Sequence, residues 1–264
     1  MTDPKAYRTE REWFVKDKIV ATVPRATVFK EEEKRSIELY GDGIGRVELV
    51  EHMGSDLTIV NSARVSFGKH KETLDEKDER LINYLVEHRH TSTFEHNIVT
   101  LRFLVPLFVR AQHHRHRTWS YNEISRRYTD VNIQFYEPEQ FRTQHKNNRQ
   151  ASNTEELTNP LLKNPIAYAD EALREHHKSC LMLYGKLVDA GVCREQARGV
   201  LPQSMYTEYY GTVNLNNLLK FIDLRTHEGA QWEIQKVAEA CLEIAEGLWP
   251  VAVGAYRRVK NEHT

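Results

Sequence analysis

The segment from Arg115 to Tyr128 holds the densest set of side chains in this sequence that could do chemistry. Its arginines stay charged at physiological pH and present forked N–H donors that match phosphate oxygens. Serine hydroxyls and an asparagine amide add donors, and Glu123 is its one carboxylate. Such a set could hold the phosphates of a small ligand or of an RNA backbone. Glu123 could act as an internal counter-charge or accept a hydrogen bond from a ligand. The plain alternative is a solvated basic loop that pairs with the acidic residues 75–79.

Composition narrows the class of protein. The chain has 264 residues, 40% of them hydrophobic, and a formal net charge of −1, so it can bury one sizeable core without disulfides. The near-zero charge argues against a general nucleic-acid or membrane-surface binder. No apolar run approaches the roughly 20 residues that span a bilayer, and residues 1–12 lack the apolar stretch of a signal peptide. We therefore expect a cytoplasmic protein that binds neither membrane nor nucleic acid.

The three cysteines, Cys180, Cys193 and Cys241, are too scattered for a disulfide framework or a zinc knuckle. A thiolate nucleophile needs a cationic, accessible setting, and Cys180 and Cys241 lie in apolar helical patterns. Cys193 borders Arg194 but lies outside every motif described below. We expect all three to fill core or surface positions.

Hydropathy patterning predicts the elements that would position the basic segment. The predicted strands are 46–53, 57–60, 97–105 and 206–213, and the predicted helices are 74–88, 107–114, 167–190, 194–200, 215–226 and 231–253. Because strands and helices do not alternate regularly, an α+β fold is favoured, with a mixed, mainly antiparallel sheet packed with several helices in a single domain. The fold is expected to be non-Rossmann, since no G-x-G-x-x-G follows a strand. Residues 1–30 are expected to form an N-terminal extension, and residues 31–264 the domain, with a polar surface excursion at 137–165.

The pattern R-H-R-x-x-S-x-N-E-x-S-x-R-Y of residues 115–128 resembles, position for position, the signature of the flavin-dependent thymidylate synthases. Other blocks of the family agree in the expected order; they are residues 63–67, 90–96, 197–202, 212–214, 224–225 and 230–234. The resemblance spans roughly residues 45–255.

The resemblance implies a reaction. In this family dUMP is methylated to dTMP, 5,10-methylenetetrahydrofolate donates the carbon, and FAD reduced by NADPH supplies the hydride, so the folate leaves as tetrahydrofolate. It also implies a homotetramer, and active sites that lie between subunits. No cysteine nucleophile and no metal take part in the expected chemistry.

Residue roles follow from the same resemblance. The expected dUMP-binding residues are Gln112, Arg115, Glu123, Ser125, Arg127, Arg198 and Arg225. The expected FAD-binding residues are Ser66, His90, Ser92, Glu95, Arg115, His116, Arg117, Glu123, Asn214, Asn216 and Lys220. Arg225 is the expected catalytic residue, a fixed cation that stabilises negative charge as N3 of the pyrimidine loses its proton.

Several of these residues have simpler interpretations, and some depart from the family pattern. His90 could cap the preceding helix, Asn214 could N-cap the next one, and Ser66 and Ser92 could be turn residues. Thr93 stands where the family has proline. Lys220 stands where a neutral side chain is expected near FAD, and it could pair with the pyrophosphate or point to solvent. Asn216 is a weaker match.

Two other classes of function remain open at this point. A metal-dependent phosphohydrolase would use His88, His90 and His96, or His113, His114 and His116, as ligands. Neighbouring histidines on one element rarely converge on one ion, which argues against it. A non-enzymatic RNA-binding module would use the basic segment with Trp119, Tyr121 and Tyr128 as stacking faces. The neutral net charge and the lack of a wider basic face argue against that module.

Overall fold

A computed structural model describes residues 36–148, 152–163 and 166–262. The predicted extension at 1–30 lies outside the described residues. The strands are β1 Ser36–Glu38, β2 Arg46–Met53, β3 Ile98–Pro106, β4 Ser120–Glu123, β5 Phe141–Gln144, β6 Ser152–Leu157, β7 Leu161–Lys163, β8 Ile166–Tyr168 and β9 Tyr206–Asn214. The α-helices are α1 Asp56–Arg64, α2 Glu76–Glu87, α3 Leu107–His113, α4 Ala169–Asp189, α5 Arg194–Ala197, α6 Leu215–Arg225, α7 Trp232–Leu248 and α8 Pro250–Glu262.

The main sheet has five strands in the order β1-β2-β3-β9-β4, and every neighbouring pair is antiparallel. Its centre is the long pairing of β3 with β9, which runs from Ile98 opposite Asn214 to Pro106 opposite Tyr206. β3 alternates as a strand with one buried face should, and Pro106 ends it and precedes α3. This architecture confirms the predicted mainly antiparallel α+β fold.

Helix α7 packs in the centre of the core, and its buried face is Ile234, Val237, Ala238, Cys241, Ile244 and Ala245. Residues 231–253 were predicted as one helix, and that prediction is wrong because the chain breaks between α7 and α8. Trp249 is fully buried there, and its indole N–H donates to the Gly54 carbonyl at 3.1 Å. The buried Asp56 carboxylate accepts the backbone N–H groups of Val251 and Ala252, at 3.1 and 3.0 Å, and so caps α8.

Two other segments differ from their predicted form. Residues 57–60 lie in α1 rather than in a strand, because Thr58 Oγ1 accepts the Ser55 backbone N–H at 3.0 Å and starts a helix. The polar excursion at 137–165 contains three strands: β5 pairs with β6, and β7 pairs with β8, which begins just after the excursion. Among the described residues, no helix is long and apolar enough to cross a membrane.

Candidate active site

Three of the predicted site residues meet where the ends of α3 and α6 come together. Arg225, the last residue of α6, donates from Nε to His116 Nε2 at 3.1 Å and from Nη2 to the Gln112 carbonyl oxygen at 3.2 Å. Arg225 is partly buried, and burial lowers its pKa, with the charge of Arg115 adding to the effect. The guanidinium is therefore a cation held in place from two directions.

His116 must be neutral to accept the hydrogen bond from Arg225. Burial, and then the positive charge of Arg225, lower the pKa of His116 to about 4, so its ring is uncharged at neutral pH. The segment 114–119 that carries it turns back on itself after α3, and His116 N donates to the His113 carbonyl at 2.9 Å. The ring is thus an acceptor that orients Arg225.

His113 anchors this turn from the core. Its side chain is fully buried, its Nδ1 lies 2.8 Å from the Tyr209 hydroxyl, and the rings of Phe103, Trp119 and Phe221 contact it. Burial holds the pKa of His113 well below its usual value. No group of three or more His, Cys, Asp and Glu side chains that could hold a metal occurs within 36–148, 152–163 and 166–262.

Gln112 is linked to residues that received no role from the sequence. Its Nε2 donates to Gln231 Oε1 at 2.5 Å, and Gln231 Nε2 donates to Glu233 Oε2 at 2.9 Å. Both partners lie in the block 230–234, which the family resemblance had singled out without a function for either. Gln231 lies 119 residues from Gln112 in the sequence, so no spacing could have revealed the contact.

Glu123, at the end of β4, is engaged inside the protein. Its Oε1 lies 3.1 Å from Arg110 Nε and accepts from the Thr207 hydroxyl at 2.7 Å. This supports the interpretation of Glu123 as an internal counter-charge, and Arg110 is its unpredicted partner. The acidic residues 75–79 do not neutralise the basic segment, because Asp78 pairs with Arg64 at 2.6 Å and with Lys71.

The remaining predicted phosphate-binding side chains stand apart from Arg225. Arg115, Arg117, Arg127 and Arg198 are exposed. Ser125 Oγ accepts the Arg127 backbone N–H at 3.3 Å, and the Arg127 guanidinium lies 5.4 Å from the centre of the Tyr128 ring. In the described part of the chain, Ser125, Arg127 and Arg198 make no hydrogen bond or ion pair with Gln112, His116 or Arg225.

Several of the predicted FAD-binding residues surround a second feature, a cavity of about 890 Å³ between α2, α6 and α8. Asn216 and Lys220 line it, and Asn216 Nδ2 donates to Glu95 Oε1 at 2.9 Å. His90 and Ser92 are exposed in the segment that forms its rim. Its walls also include Arg89, Leu85, Phe94, Leu219 and Tyr256.

Three predicted FAD contacts, Asn214, Ser66 and His90, can be compared with their simpler interpretations as caps or turn residues. Asn214 N-caps α6, and its side-chain oxygen accepts the Asn217 backbone N–H at 3.0 Å. Ser66 lies in the exposed 3₁₀ turn Val65–Phe67, beside side chains that are themselves largely exposed. His90 occupies the N-cap position of the 3₁₀ helix Thr91–Phe94 without a capping side-chain bond.

The cysteines occupy varied environments. Cys241 is fully buried in α7, and burial raises its thiol pKa; Cys180 is half-buried and Cys193 is exposed. A buried thiol with a raised pKa is a poor nucleophile. None of the three contacts Arg225, His116 or Gln112 through any hydrogen bond within the described residues.

Comparison with known proteins decides the family. Residues 48–251 match the family model described as Thymidylate synthase complementing protein. The chain belongs to this family. A flavin-dependent thymidylate synthase from Thermus thermophilus is 44% identical over 212 residues, which are 80% of this chain and 75% of that protein. Another, from Kosmotoga olearia, is 42% identical over 212 residues, 80% of this chain and 90% of the relative. The match confirms the family that the signature predicted.

Solved structures show the same fold. A UMP/dUMP methylase, PolB from Streptomyces cacaoi bound with 5-Br dUMP, superposes with a TM-score of 0.70 at 34% identity. The match covers 84% of this chain and 97% of that one. The structure bound with 5-Br UMP gives a TM-score of 0.69, covering 81% and 93%. This chain is therefore an enzyme of the flavin-dependent thymidylate synthase family, with the fold of these methylases.

Proposed function

We propose that this enzyme methylates dUMP to dTMP with 5,10-methylenetetrahydrofolate as carbon donor, and that the pyrimidine lies against Arg225. The observation that carries the proposal is the half-buried guanidinium that His116 and the Gln112 carbonyl hold at the turn carrying the family signature. Residues 31–264 would form the catalytic domain and 1–30 an extension to it.

Arg225 would act by electrostatics. Removing the proton from N3 of uracil leaves negative charge on the ring, and a cation that is already in place lowers the free energy of that charge. His116 supports this role because its neutral ring accepts a hydrogen bond from Arg225 and so orients it. The ring carries no charge of its own, so the negative charge of the base interacts with Arg225. Within the described residues, Arg225 Nη1 donates no hydrogen bond, so it is available to the base.

The phosphate of dUMP needs cations near the same turn. Arg115, Arg127 and Arg198 supply exposed guanidinium groups, and the Ser125 hydroxyl is a further donor. Glu123 would shape this surface, because its contacts with Arg110 and Thr207 fix its carboxylate. These groups stand apart in the single chain, and binding of the nucleotide would bring them together.

The cavity between α2, α6 and α8 fits part of FAD. Arg89 and Lys220 make no ion pair within the described residues, which suits a diphosphate, and Leu85, Phe94 and Tyr256 offer an apolar wall to a ring system. Asn216 lines the same cavity and bonds Glu95, and His90 and Ser92 alternate along the chain with the lining residues Arg89 and Thr91. Asn214, which caps α6, and Ser66, His116, Arg117 and Glu123 complete the proposed contacts. The hydride that completes the methyl group would come from FAD that NADPH has reduced.

A homotetramer in the cytoplasm completes the proposal. Arg115, Arg117, Arg198, His90 and Lys220 are all exposed in the single chain, although ligand binding would normally bury such groups. Active sites shared between subunits would enclose them. Exposed apolar side chains, such as Phe67 at 78%, support further burial in an assembly.

The direct test is product analysis with dUMP, methylenetetrahydrofolate, NADPH and FAD. We expect dTMP and tetrahydrofolate in equal amounts, and no dTMP when FAD or the reductant is left out. Release of dihydrofolate would mean that the folate itself supplied the hydride, and it would contradict the flavin as hydride source.

A further inference from the structure

Arg126 is the one arginine of the basic segment 115–128 whose side chain is buried, and none of the proposed roles uses it. The whole residue is 7% exposed, whereas the other three arginines of the segment are exposed. Between Trp119 and Tyr136, a range that the structure describes throughout, no other residue is buried. This stretch of chain is therefore held to the protein from inside by a guanidinium rather than by an apolar side chain.

The guanidinium ties together the two ends of a loop. Arg126 Nη1 donates to the Val131 carbonyl at 2.6 Å, and Nη2 donates to the Asn132 carbonyl at 3.3 Å. Both acceptors belong to exposed residues, and the chain turns back at Asn132, which has φ +54°. Because the guanidinium is a rigid planar fork, two bonds from it fix the direction of the loop as well as its distance.

The near end of this loop is the turn that carries two of the proposed phosphate contacts. The backbone N–H groups of Tyr128 and Thr129 both donate to the Ser125 carbonyl, at 2.9 and 3.2 Å. Arg126 enters the protein from this turn, while the side chain of Arg127 is exposed. An exposed turn with few buried contacts opens easily, so the bonds of Arg126 restrict where Ser125 and Arg127 can lie.

The anchor is not one that stability alone favours. Burial lowers the pKa of Arg126, and the nearby Tyr184, Asp130 and Glu208 only partly offset this effect. Within the described residues, Arg126 forms no ion pair and its Nε has no hydrogen-bond partner. A buried charge without a carboxylate partner, and with one N–H unpaired, is unfavourable for folding. Such a departure from what folding favours is typical of a residue with a functional role.

We propose that Arg126 is a positioning residue that holds Ser125 and Arg127 in place for the phosphate of the nucleotide substrate. The inference rests on the proposed function, which assigns those two groups to the phosphate of dUMP. Arg126 does not itself touch the substrate, because its guanidinium is buried. Loss of one well-placed hydrogen bond to a charged group weakens binding by about tenfold to a hundredfold.

Arg126→Met removes both anchoring bonds and leaves an apolar side chain in the buried position. We expect the dissociation constant of dUMP to rise about tenfold, measured by calorimetry with the FAD-loaded protein. The KM for dUMP should rise alike and kcat should stay within about twofold, because the phosphate takes no part in the reaction. The urea midpoint should not fall, since water can bond the two freed carbonyls at the surface. A merely structural role predicts the opposite: a lower midpoint and native dUMP affinity.

Arg126→Gln is a milder second variant, because its amide keeps a donor but is too short to form the fork. We expect the dissociation constant of dUMP to rise about threefold or more. Arg46→Met is the matched control: Arg46 Nη1 also donates to a loop carbonyl, that of Ile44, at 3.0 Å, and lies outside the proposed site. Its dUMP affinity should stay within about twofold of native. Native dUMP affinity in both folded Arg126 variants would overturn the inference.

A double-mutant cycle tests whether Arg126 acts through Arg127. Arg127→Ala alone should raise the dissociation constant of dUMP about tenfold. Adding Arg126→Met to it should change that value by no more than about twofold, because the anchor then has little left to position. Two losses that multiply would show that Arg126 acts independently of Arg127, for instance through its own charge, and would overturn the inference.

The same cycle separates failure of the inference from failure of the proposed function. If Arg127→Ala weakens dUMP binding and Arg126→Met does not, the inference alone is wrong. If Arg127→Ala leaves dUMP binding unchanged, the proposed phosphate site is wrong and the inference falls with it.

Discussion

Arg225 helps to set the protonation state of His116. The guanidinium lowers the pKa of the ring, after burial has done so, and the neutral ring then accepts the Arg225 Nε hydrogen. The sequence pointed to His116 through the family signature and to Arg225 through the block 224–225, but it did not show that the two side chains touch. The contact joins residues 109 positions apart, and only the fold brings them together.

Arg225→Ala should lower the rate of dTMP formation by about 10²–10³ and leave FAD binding within about twofold of native. The cation beside the pyrimidine is lost, and removing a preorganised electrostatic group typically costs about 10²–10³ in rate. Turnover is measured by dTMP release, and flavin content by absorbance. Arg194→Ala is the matched control, since Arg194 is exposed and lies 3.5 Å from Asp130. Near-normal turnover in Arg225→Ala would remove this residue from the chemistry.

Replacing all three cysteines should leave turnover in place. Cys180→Ser and Cys193→Ser change groups at or near the surface, and Cys241→Ala removes a buried sulfur at a cost of about 1 kcal/mol in stability. The triple variant is assayed for dTMP after circular dichroism establishes that it is folded. Complete loss of activity in the folded protein would mean that a thiolate takes part.

At the scale of elements, hydropathy patterning located the helices and strands that have one polar and one apolar face. β3, β9, α2 and α6 were predicted within about two residues, since alternation or helical spacing marks a half-buried face. The errors fall where local and tertiary signals compete. The break between α7 and α8 depends on Trp249 and on Asp56, which is remote in sequence, and residues 57–60 are apolar enough for either structure.

The end of α2 stores backbone strain beside the large cavity. Arg89 has φ +55°, in the left-handed region, and the chain there forms a Schellman ending in which His90 N donates to the Leu85 carbonyl at 2.8 Å. Glycine suits this position best, because a side chain in that conformation costs about 1 kcal/mol. The arginine side chain lines the cavity, so its charge offers a reason for the residue to be there.

Arg89→Gly should therefore raise the free energy of unfolding by about 1 kcal/mol and weaken FAD binding severalfold. Urea denaturation of the FAD-free protein gives the first quantity, and fluorescence titration with FAD gives the second. Asn132→Gly is the control: Asn132 also has positive φ, +54°, but asparagine tolerates it, so the gain should be smaller and FAD affinity unchanged. Unchanged FAD affinity in Arg89→Gly would separate the cavity from the cofactor.

At the scale of the whole molecule, buried histidines make stability depend on pH. His116 has a folded pKa of about 4, below the ordinary value of 6.5, and that of His113 is also strongly lowered. Between pH 6.5 and 4 the unfolded chain binds protons that the folded chain does not, so stability falls as the pH falls.

His116→Gln should make this dependence shallower between pH 6.5 and 4, because one of the histidines that take up a proton only on unfolding is gone. Urea midpoints of the two proteins at pH 7, 6, 5 and 4 give the slopes. Parallel curves for the two proteins would show that His116 titrates alike in the folded and unfolded states.

The family signature identified the chemistry of the whole molecule better than it identified how the site is assembled. Arg225, His116 and Gln112 meet as a unit, whereas Arg127 and Arg198 stand apart in the single chain. A pattern of residue types records what ligands require, but not which elements or subunits supply each group. Gln231 and Glu233 illustrate this, since their block was recognised while their contacts follow from tertiary packing alone.

The visible spectrum of the concentrated protein, loaded with FAD and followed anaerobically, tests the central claim most directly. We expect a bound-flavin spectrum that bleaches when NADPH and dUMP are added and recovers when methylenetetrahydrofolate follows, as dTMP forms. A colourless protein that also fails to take up added FAD would contradict the account.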